Sequence, residues 1–244
     1  MSAPIHSPVR RRADRFITCE GSCQIERFHF SGPSAGHEPV RLGLFSGIHG
    51  DEPAGPAAVR VFLAALERCP DMALGYDLWL YPVINPTGCS LGTRENGNGL
   101  DLNRLFWRNS PEPEIRIIEE ELAERSFEGI ITLHADDTCE GHYGYSHGRA
   151  MEDALLRPAL IAAERVLPRD RRSSIDGFTA REGIICDCYS GILGPPPDQP
   201  SRAFNLIFET PASAPLGDQV SAHVAALEAI LATYRGFISY GQGL

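Results

Sequence analysis

Short apolar runs alternate with amphipathic segments along this chain, and this alternation restricts the fold more than any other feature of the sequence. Apolar strands that alternate with helices form largely parallel sheets, with helices covering both faces. Residues 15–30 are predicted to form a hairpin that turns at Gly21-Ser22, so we expect a mixed sheet. The other predicted strands span residues 40–48, 77–84, 129–134 and 203–209, and the predicted helices span residues 56–69, 113–126, 152–167 and 217–235.

No repeat or low-complexity linker divides the 244 residues, so we predict a single α/β domain over residues 1–244. Residues 1–15 are expected to be a flexible arm, and residues 85–104 a long polar loop. Pro158 lies inside the predicted helix 152–167 and is expected to kink or split it.

The formal net charge of -10 bears on the partners of the protein. Nucleic-acid binders gain affinity from clustered Lys and Arg, so this charge argues against nucleic acid and favours a small or peptide-like substrate. The apolar runs are shorter than the roughly 20 residues of a membrane span, and the N-terminal residues include no apolar signal segment. We therefore expect a cytoplasmic protein without a membrane partner. The oligomeric state is not predicted.

The seven cysteines are an odd number and lack paired metal-binding spacings, so we expect reduced thiols. Cys186 and Cys188 could bind a metal or react, or they could be buried thiols.

Polar side chains stand where four of the predicted strands end. His49 and Asn85 directly follow the first two strands after the hairpin, and His134 and Glu209 are the last residues of the next two. Ligands of open α/β sheets bind beyond the carboxyl ends of the strands. We therefore predict a functional site at this edge of the sheet.

His49, Glu52 and His134 offer the ligand set of a catalytic zinc ion, which is two imidazoles and one carboxylate with a fourth position left open. His49 and Glu52 are three residues apart, and Gly47 and Gly50 allow the backbone to bend closely between them. We therefore predict one Zn²⁺ per chain. Zinc lowers the pKa of its bound water to about 7, and a carboxylate outside the ligand set can then take the proton.

Glu209 fits the role of that proton acceptor, because a carboxylate at the end of an apolar strand is partly desolvated and its pKa is raised. A glutamate at a strand end could instead cap or salt-bridge the loop that follows it. Both roles stay open at this point of the argument.

The loop over residues 85–106 supplies positive charge opposite the predicted metal site. Arg94 and Arg104 are cations suited to a carboxylate or a developing oxyanion, and Asn103 adds an amide donor. Asp101 could accept the second N–H of a ligand histidine and hold its tautomer. Each of these residues could also be a surface ion pair or a turn former.

Four ordered motifs resemble those of the zinc carboxypeptidases of the carboxypeptidase A type. They are "HGDE" at 49–52, "DLNR" at 101–104, "TLHAD" at 132–136 and "FET" at 208–210. The likeness spans residues 40–211. It is close to compact bacterial forms such as murein tripeptide amidase, and it extends more distantly to the succinylglutamate desuccinylase/aspartoacylase group.

The resemblance implies that His49, Glu52 and His134 are the zinc ligands. It also implies that Glu209 is the general base and acid, and that Asp101 is the partner of a ligand histidine.

The resemblance further implies that Asn103 and Arg104 grip the terminal carboxylate of the substrate, and that Arg94 stabilises the oxyanion. The tyrosine that covers the substrate in this family has no firm motif here. Tyr189 stands at a similar distance before the glutamate, and Tyr143 and Tyr145 are its rivals.

The implied fold is a three-layer α/β/α sandwich around a mixed, mainly parallel sheet of about eight strands. The implied activity is that of a zinc metallocarboxypeptidase. Such an enzyme hydrolyses the C-terminal amide bond of a small peptide, for example a murein-type peptide, by Glu-assisted attack of zinc-bound water. The expected partner is therefore a small peptide with a free C-terminal carboxylate.

Two other functions use the same residues. An N-acyl amino acid deacylase of the succinylglutamate desuccinylase/aspartoacylase type is the first, although such enzymes generally add a β-rich domain, and only 35 residues follow Glu209 here. A non-catalytic zinc- or peptide-binding protein is the second, although it has no need of Glu209. His142, His147 and Asp136-Asp137 are competing metal ligands from the loop after His134.

Overall fold

The structure is a computed structural model that describes residues 13–146, 150–197 and 203–242. Residues 1–12 of the predicted arm lie outside the described residues, and the first strand begins at Asp14. The assignment of a single domain with a flexible arm stays a prediction.

The described residues form ten strands and five α-helices. The strands are β1 (Asp14–Glu20), β2 (Cys23–Ser31), β3 (Val40–Ser46), β4 (Tyr76–Tyr81), β5 (Gly129–Asp136), β6 (Tyr143–Tyr145), β7 (Ser174–Ile175), β8 (Phe178–Arg181), β9 (Ile184–Ile185) and β10 (Phe204–Pro211). The helices are α1 (Ala54–Arg68), α2 (Pro86–Leu91), α3 (Pro113–Arg125), α4 (Ala150–Ala163) and α5 (Leu216–Gln242). Every strand and helix predicted from the sequence is present, with shifted ends.

The strand order across the sheet is β1-β2-β4-β3-β5-β10-β6-β9-β8-β7. Its centre consists of the parallel strands β4, β3, β5 and β10. The chain places β4 on one side of β3 and then β5 on the other side, so the direction of winding reverses between β3 and β5. Ligands of such sheets bind beyond the carboxyl ends at the point of reversal.

Helices cover both faces of the sheet. On one face α5 packs against α1 and against α4, and Val59, Leu160 and Leu227 of these helices belong to the same buried cluster as strand residues. On the other face, Ile115 and Ile118 of α3 lie in a second buried cluster. The predicted three-layer α/β/α sandwich around a mixed sheet is therefore confirmed.

Three details differ from the prediction. The sheet has ten strands rather than about eight, because β6 to β9 are only two to four residues long and show no alternating pattern in the sequence. The predicted loop 85–104 contains the helix α2, whose first turn is capped by Asn85 at 2.8 Å from the backbone nitrogen of Gly88. The helix α4 is not split at Pro158 but continues to Ala163.

Within the described ranges, no helix combines the length and the apolar character that a membrane span requires. The cytoplasmic location stays a prediction.

A buried polar cluster joins α5 to the strand that carries Glu209. The hydroxyl oxygen of Thr210 lies 3.2 Å from His223 Nε2, 3.2 Å from Gln219 Oε1 and 3.4 Å from the carbonyl oxygen of His134. His223 is fully buried, and burial followed by the neighbouring His134 lowers its pKa to about 3. The helix is therefore attached to the sheet through a histidine that stays neutral.

His223 makes the stability of the protein depend on pH. Below a pH of about 6.5 the unfolded chain takes up a proton at His223, whereas the folded protein does so only near a pH of about 3. The free energy of unfolding therefore falls by roughly 2 kcal/mol from this residue between about pH 7.5 and about pH 5.

Urea unfolding at both pH values checks this prediction in the wild type and in His223→Gln, which keeps a donor for Thr210 but cannot titrate. The pH-dependent loss should be smaller in the variant. Equal losses in the two proteins would show that His223 does not contribute.

Candidate active site

The carboxyl ends of β3, β5 and β10 meet at the point where the sheet winding reverses. His49 follows β3, and His134 lies on the neighbouring strand β5. Glu209 on β10 is the direct partner of His134 in the parallel register, with Tyr143 of β6 on its other side. The structure thus brings together His49, His134 and Glu209 as the sequence predicted, although 160 residues separate the first from the last.

The carboxylate of Glu52 lies between the two histidines. Its Oε1 is 2.5 Å from Nδ1 of His49, and its Oε2 is 3.0 Å from Nδ1 of His134. The backbone nitrogen of Ala135 also donates to Oε2 at 3.0 Å. His49, Glu52 and His134 are only 3 %, 7 % and 2 % exposed. Each offers one ligand atom, and these three atoms lie within 4.8 Å of one another. This His–Glu–His cluster can hold a metal ion.

Two glycines allow the turn that carries His49 and Glu52. Gly47 has a φ of +61°, which is in the left-handed region that favours glycine. Gly50 packs directly on α2, because a Cβ atom there would lie 2.0 Å from the carbonyl carbon of Gly88. The close approach of this turn to α2 therefore requires glycine at position 50.

Asp101 determines which nitrogen of His49 faces the cluster. Its Oδ1 lies 3.2 Å from His49 Nε2, and an ionised carboxylate can only accept, so Nε2 donates. In a neutral ring Nδ1 then presents a lone pair to Glu52, which is also an acceptor. A cation between them satisfies both atoms, so the donor set fits a bound metal.

The electrostatics of the cluster favour an ionised Glu52. Burial alone raises the pKa of Glu52, but His134 and then His49 outweigh burial, so the pKa is lowered. For His134, burial lowers the pKa more than the neighbouring Glu52 raises it. For His49, the hydrogen bonds to Asp101 and Glu52 outweigh burial and raise the pKa. Glu52 therefore remains an anion, and an anionic carboxylate suits a bound cation.

Glu209 differs from Glu52 in its surroundings. Burial raises its pKa well above the ordinary value, and the carboxylates of Glu52, Asp136 and Asp176 raise it further, while Arg94 opposes them. In the described part of the chain, no cation pairs with this carboxylate and it caps no loop. Of the two roles that the sequence left open, this environment is typical of a group that exchanges protons.

Arg94 lies against the acidic side of the cluster. Its guanidinium is 3.6 Å from Oε1 of Glu52 and 3.3 Å from Oδ2 of Asp101. Asp101 thus contacts both His49 and Arg94, and these contacts hold its pKa below the ordinary value although burial alone would raise it.

Arg104 and Tyr189 are in direct contact. The Cζ atom of Arg104 lies 4.2 Å from the centre of the Tyr189 ring, and Nη1 donates to the carbonyl oxygen of Asn103 at 2.8 Å. The side-chain oxygen of Asn103 accepts from the backbone nitrogen of Leu193 at 3.1 Å. Asn103 therefore attaches the loop that carries Tyr189 to the turn that carries Arg104.

A cavity of about 370 Å³ connects these groups. Its charged lining residues are Asp51, Glu52, Asp136, Asp137, Asp176, Glu209, Arg94 and Arg104. Asp101 is not part of the lining and acts from behind His49.

All three candidate tyrosines line the cavity, but only one is exposed. Tyr143 and Tyr145 are buried, and their hydroxyls donate to Asp136 at 3.0 Å and to Asp176 at 2.6 Å. Tyr189 is 37 % exposed, and its hydroxyl donates to Asp176 at 3.1 Å. Tyr189 is therefore the one of the three that has the surface exposure to cover a ligand.

Asp51 and Asp176 are charged cavity residues to which the sequence analysis gave no role. Asp51 is adjacent to Glu52, whereas Asp176 is far from the predicted motifs. Asp176 lies in the turn between β7 and β8 and precedes Gly177, so the pattern indicates only a hairpin turn. Neither strand was predicted, and no sequence signal brings this turn to the metal cluster.

Three of the four competing metal ligands, His142, Asp136 and Asp137, do not join the cluster. His142 is buried, with Nε2 3.0 Å from the carbonyl oxygen of Leu160. Asp136 and Asp137 line the cavity but are not part of the described metal-ligand group. His147 lies outside the described residues.

Neither Cys186 nor Cys188 belongs to the metal-ligand group that the structure describes. Both are free thiols, with Cys186 exposed and Cys188 half-buried. The other cysteines are free as well, as expected from the sequence.

The comparison with protein families agrees with this geometry. The catalytic-domain model of the succinylglutamate desuccinylase/aspartoacylase family matches residues 39–143. This range includes the metal cluster and the loop with Arg94 and Arg104, and it ends before Tyr189 and Glu209. No curated protein has significant sequence similarity to the chain.

A candidate metallopeptidase from Shewanella denitrificans OS217 superimposes with a TM-score of 0.75 at 23 % identity, over 90 % of this chain and 83 % of the other. A metallo-carboxypeptidase from Pseudomonas aeruginosa has a TM-score of 0.66 at 17 % identity, over 86 % of this chain and 60 % of the other. The chain has a zinc carboxypeptidase-like fold. Murein-tripeptide amidase from Escherichia coli O157 has a TM-score of 0.57 at 17 % identity, over 94 % of this chain and 93 % of the other. The resemblance predicted from the sequence is confirmed.

The metal cluster leads to a direct prediction. Purified protein should bind one zinc ion per chain, and zinc at about 1,000 times its Kd should add about 4 kcal/mol to the free energy of unfolding. Glu52→Gln should bind zinc far more weakly, because it replaces the charged ligand by a neutral amide.

Metal analysis after dialysis and thermal unfolding with and without zinc measure both effects. Asp51→Asn is a matched control, because Asp51 is an adjacent acid that is exposed and outside the cluster. Unchanged zinc affinity in Glu52→Gln would remove Glu52 from the ligand set.

Proposed function

We propose that this protein is a zinc-dependent carboxypeptidase that hydrolyses the C-terminal amide bond of a small peptide. The family match and the fold likeness support an enzyme acting on peptide or amide bonds. The observation that carries the proposal is the register of β5 and β10, which places Glu209 beside the His–Glu–His cluster in the same cavity. A protein that only bound metal would need the cluster without this second carboxylate.

The donor set favours zinc, because two imidazoles and one carboxylate are the protein ligands of many catalytic zinc sites. When bound, zinc supplies a Lewis acid that polarises the carbonyl group and lowers the pKa of water. His49, Glu52 and His134 would hold the ion, and Asp101 would keep the tautomer of His49 that leaves Nδ1 free.

Glu209 would move the proton. As a base it takes a proton from the attacking water, and as an acid it returns that proton to the leaving amine. Its raised pKa suits the second step, and a positive charge at the cluster would lower that pKa enough for the first step. One carboxylate can thus serve both halves of the reaction.

The arginines would recognise and stabilise negative charge. Arg94 lies at the cluster, where an oxyanion would develop during attack on the carbonyl group. Arg104 faces the same cavity and, within the described residues, forms no ion pair with a carboxylate. We assign Arg104 and Asn103 to the terminal carboxylate of the peptide, with Tyr189 beside them.

An N-acyl amino acid deacylase is the second candidate, and the family match favours it. Both reactions hydrolyse an amide and would use the same residues. The cavity argues for the peptidase, because six acidic residues line it and would repel a polycarboxylate such as succinylglutamate. A small murein-type peptide is one substrate within the proposed class.

Glu209→Gln should lower kcat by about a thousandfold, because it removes the proton acceptor while keeping the size of the side chain. Zinc content and the unfolding temperature should stay close to those of the wild type. Glu67→Gln is a control on the exposed face of α1 and should keep full activity. Unchanged turnover in Glu209→Gln would remove this residue from the mechanism.

Two substrate panels distinguish the candidate reactions. Short peptides, including γ-linked ones and ones with D-residues, should release their C-terminal residue. N-acetyl and N-succinyl amino acids should be hydrolysed at most weakly. The reverse result would identify the protein as a deacylase.

Arg104→Gln should raise KM for peptides with a free carboxylate by about tenfold to a hundredfold, with a smaller change in kcat, because it removes a charge-assisted hydrogen bond. Steady-state kinetics measure the two constants separately. Arg108→Gln is a control, since Arg108 bonds to Ser190 and does not line the cavity. Equal KM values for the wild type and Arg104→Gln would contradict the assignment.

A further inference from the structure

The cavity contains more negative charge than its known or proposed cations offset. Six acidic side chains and two arginines line it, and a divalent metal with both arginines would offset four of the six charges. The peptide carboxylate would add another negative charge. A substrate without a positive group would therefore be negatively charged and would enter a cavity whose net charge is also negative.

Resting on the proposed carboxypeptidase function, we propose that Asp176, together with Asp136, selects peptides whose C-terminal residue carries an ammonium or guanidinium group.

Asp136 and Asp176 form no ion pair within the described residues. In the described parts of the chain, no arginine or histidine nitrogen lies within 4.0 Å of Asp136 or Asp176. Asp136 accepts hydrogen bonds from Tyr143 and Thr138, and Asp176 accepts from Tyr145 and Tyr189. All of these donors are neutral, so they orient the carboxylates without offsetting their charge. The negative charge stays available to a ligand.

The tyrosines hold the two carboxylates in fixed positions. Tyr143 and Tyr145 are 1 % and 4 % exposed, and their rings lie 5.7 Å apart in one buried cluster. A phenol with a raised pKa remains a donor, and burial is the main cause of the raised pKa of both tyrosines. Asp136 and Asp176 are thus oriented before any ligand arrives, which reduces the entropy lost on binding.

The contacts of Tyr189 place Asp176 on the side of the cavity where the terminal residue of a peptide would lie. The centre of the Tyr189 ring is 4.2 Å from the guanidinium carbon of Arg104, and the Tyr189 hydroxyl is 3.1 Å from Oδ1 of Asp176. Arg104 and Asp176 are therefore separated by one tyrosine. A residue whose carboxylate binds Arg104 can direct a long side chain past Tyr189 to Asp176.

The acidic residues of the wall are not the only indication that this cavity binds a ligand. The His–Glu–His cluster, with its buried carboxylate between two imidazoles, independently marks the cavity as a binding place. Asp136 and Asp176 lie outside that cluster, and they determine which charge the side chain of a bound substrate can carry.

Matched peptides test the inference. A blocked dipeptide ending in arginine is compared with the same dipeptide ending in citrulline, which has nearly the same shape and no charge. A dipeptide ending in ornithine represents the ammonium group. The wild type should cleave the arginine or the ornithine peptide with a kcat/KM at least about tenfold above that of the citrulline peptide. Added salt should reduce this advantage.

Asp176→Asn should lower kcat/KM far more for the arginine peptide than for the citrulline peptide, and the preference for arginine should therefore be mostly lost. Asp136→Asn should lose part of it, and Glu67→Gln should keep all of it. Calorimetric binding of free arginine and free citrulline to the zinc-loaded and the zinc-free protein gives a second readout. Arginine should bind more tightly in both forms, and Asp176→Asn should weaken arginine alone.

Equal cleavage and equal binding of the arginine and citrulline ligands by the wild type would overturn the inference. A preference that Asp176→Asn leaves intact would overturn it as well. Should Asp176→Asn not fold, the salt dependence of the wild type and the Asp136→Asn variant decide in its place. Cleavage of neutral peptides without a cationic preference would leave the proposed function standing, whereas arginine binding without cleavage of any peptide would contradict that function alone.

Discussion

The site depends on one buried charge, the carboxylate of Glu52. A carboxylate removed from water is costly unless it is paired and hydrogen-bonded. Glu52 has both kinds of compensation, from the imidazoles of His49 and His134 and from the backbone nitrogen of Ala135. These partners come from β3 and β5, so the pairing of the two parallel strands holds the cluster in place. The same pairing creates the reversal of winding at which the cavity opens.

Two glutamates in one cavity have different roles because their surroundings differ. Imidazoles surround Glu52 and lower its pKa, whereas burial and other carboxylates raise the pKa of Glu209. The first therefore remains an anion suited to a metal, and the second can gain and lose a proton. This difference follows from the order of the strands, since β10 lies beside β5 and away from β3.

The metal cluster could be predicted because its residues are attached to regular elements. His49, His134 and Glu209 each lie within three residues of the end of an apolar strand, and the carboxyl ends of parallel strands must meet at one edge. Glu52 follows from its three-residue spacing to His49. The strands β6 to β9 could not be predicted, because segments of two to four residues have no periodicity and form only where neighbouring strands accept them. Asp176 was missed with them, since it lies between two such strands.

The sequence by itself determined the three-layer α/β architecture, the residues of the metal cluster and the position of Glu209, because strand periodicity and strand ends are local properties. The tertiary structure alone decided that Arg104 stacks on Tyr189, that Tyr145 and Tyr189 both donate to Asp176, and that the cavity is strongly acidic. These contacts join loops that are distant in the sequence. Loops have no pattern that specifies their partners, so only the packing of the whole sheet brings them together.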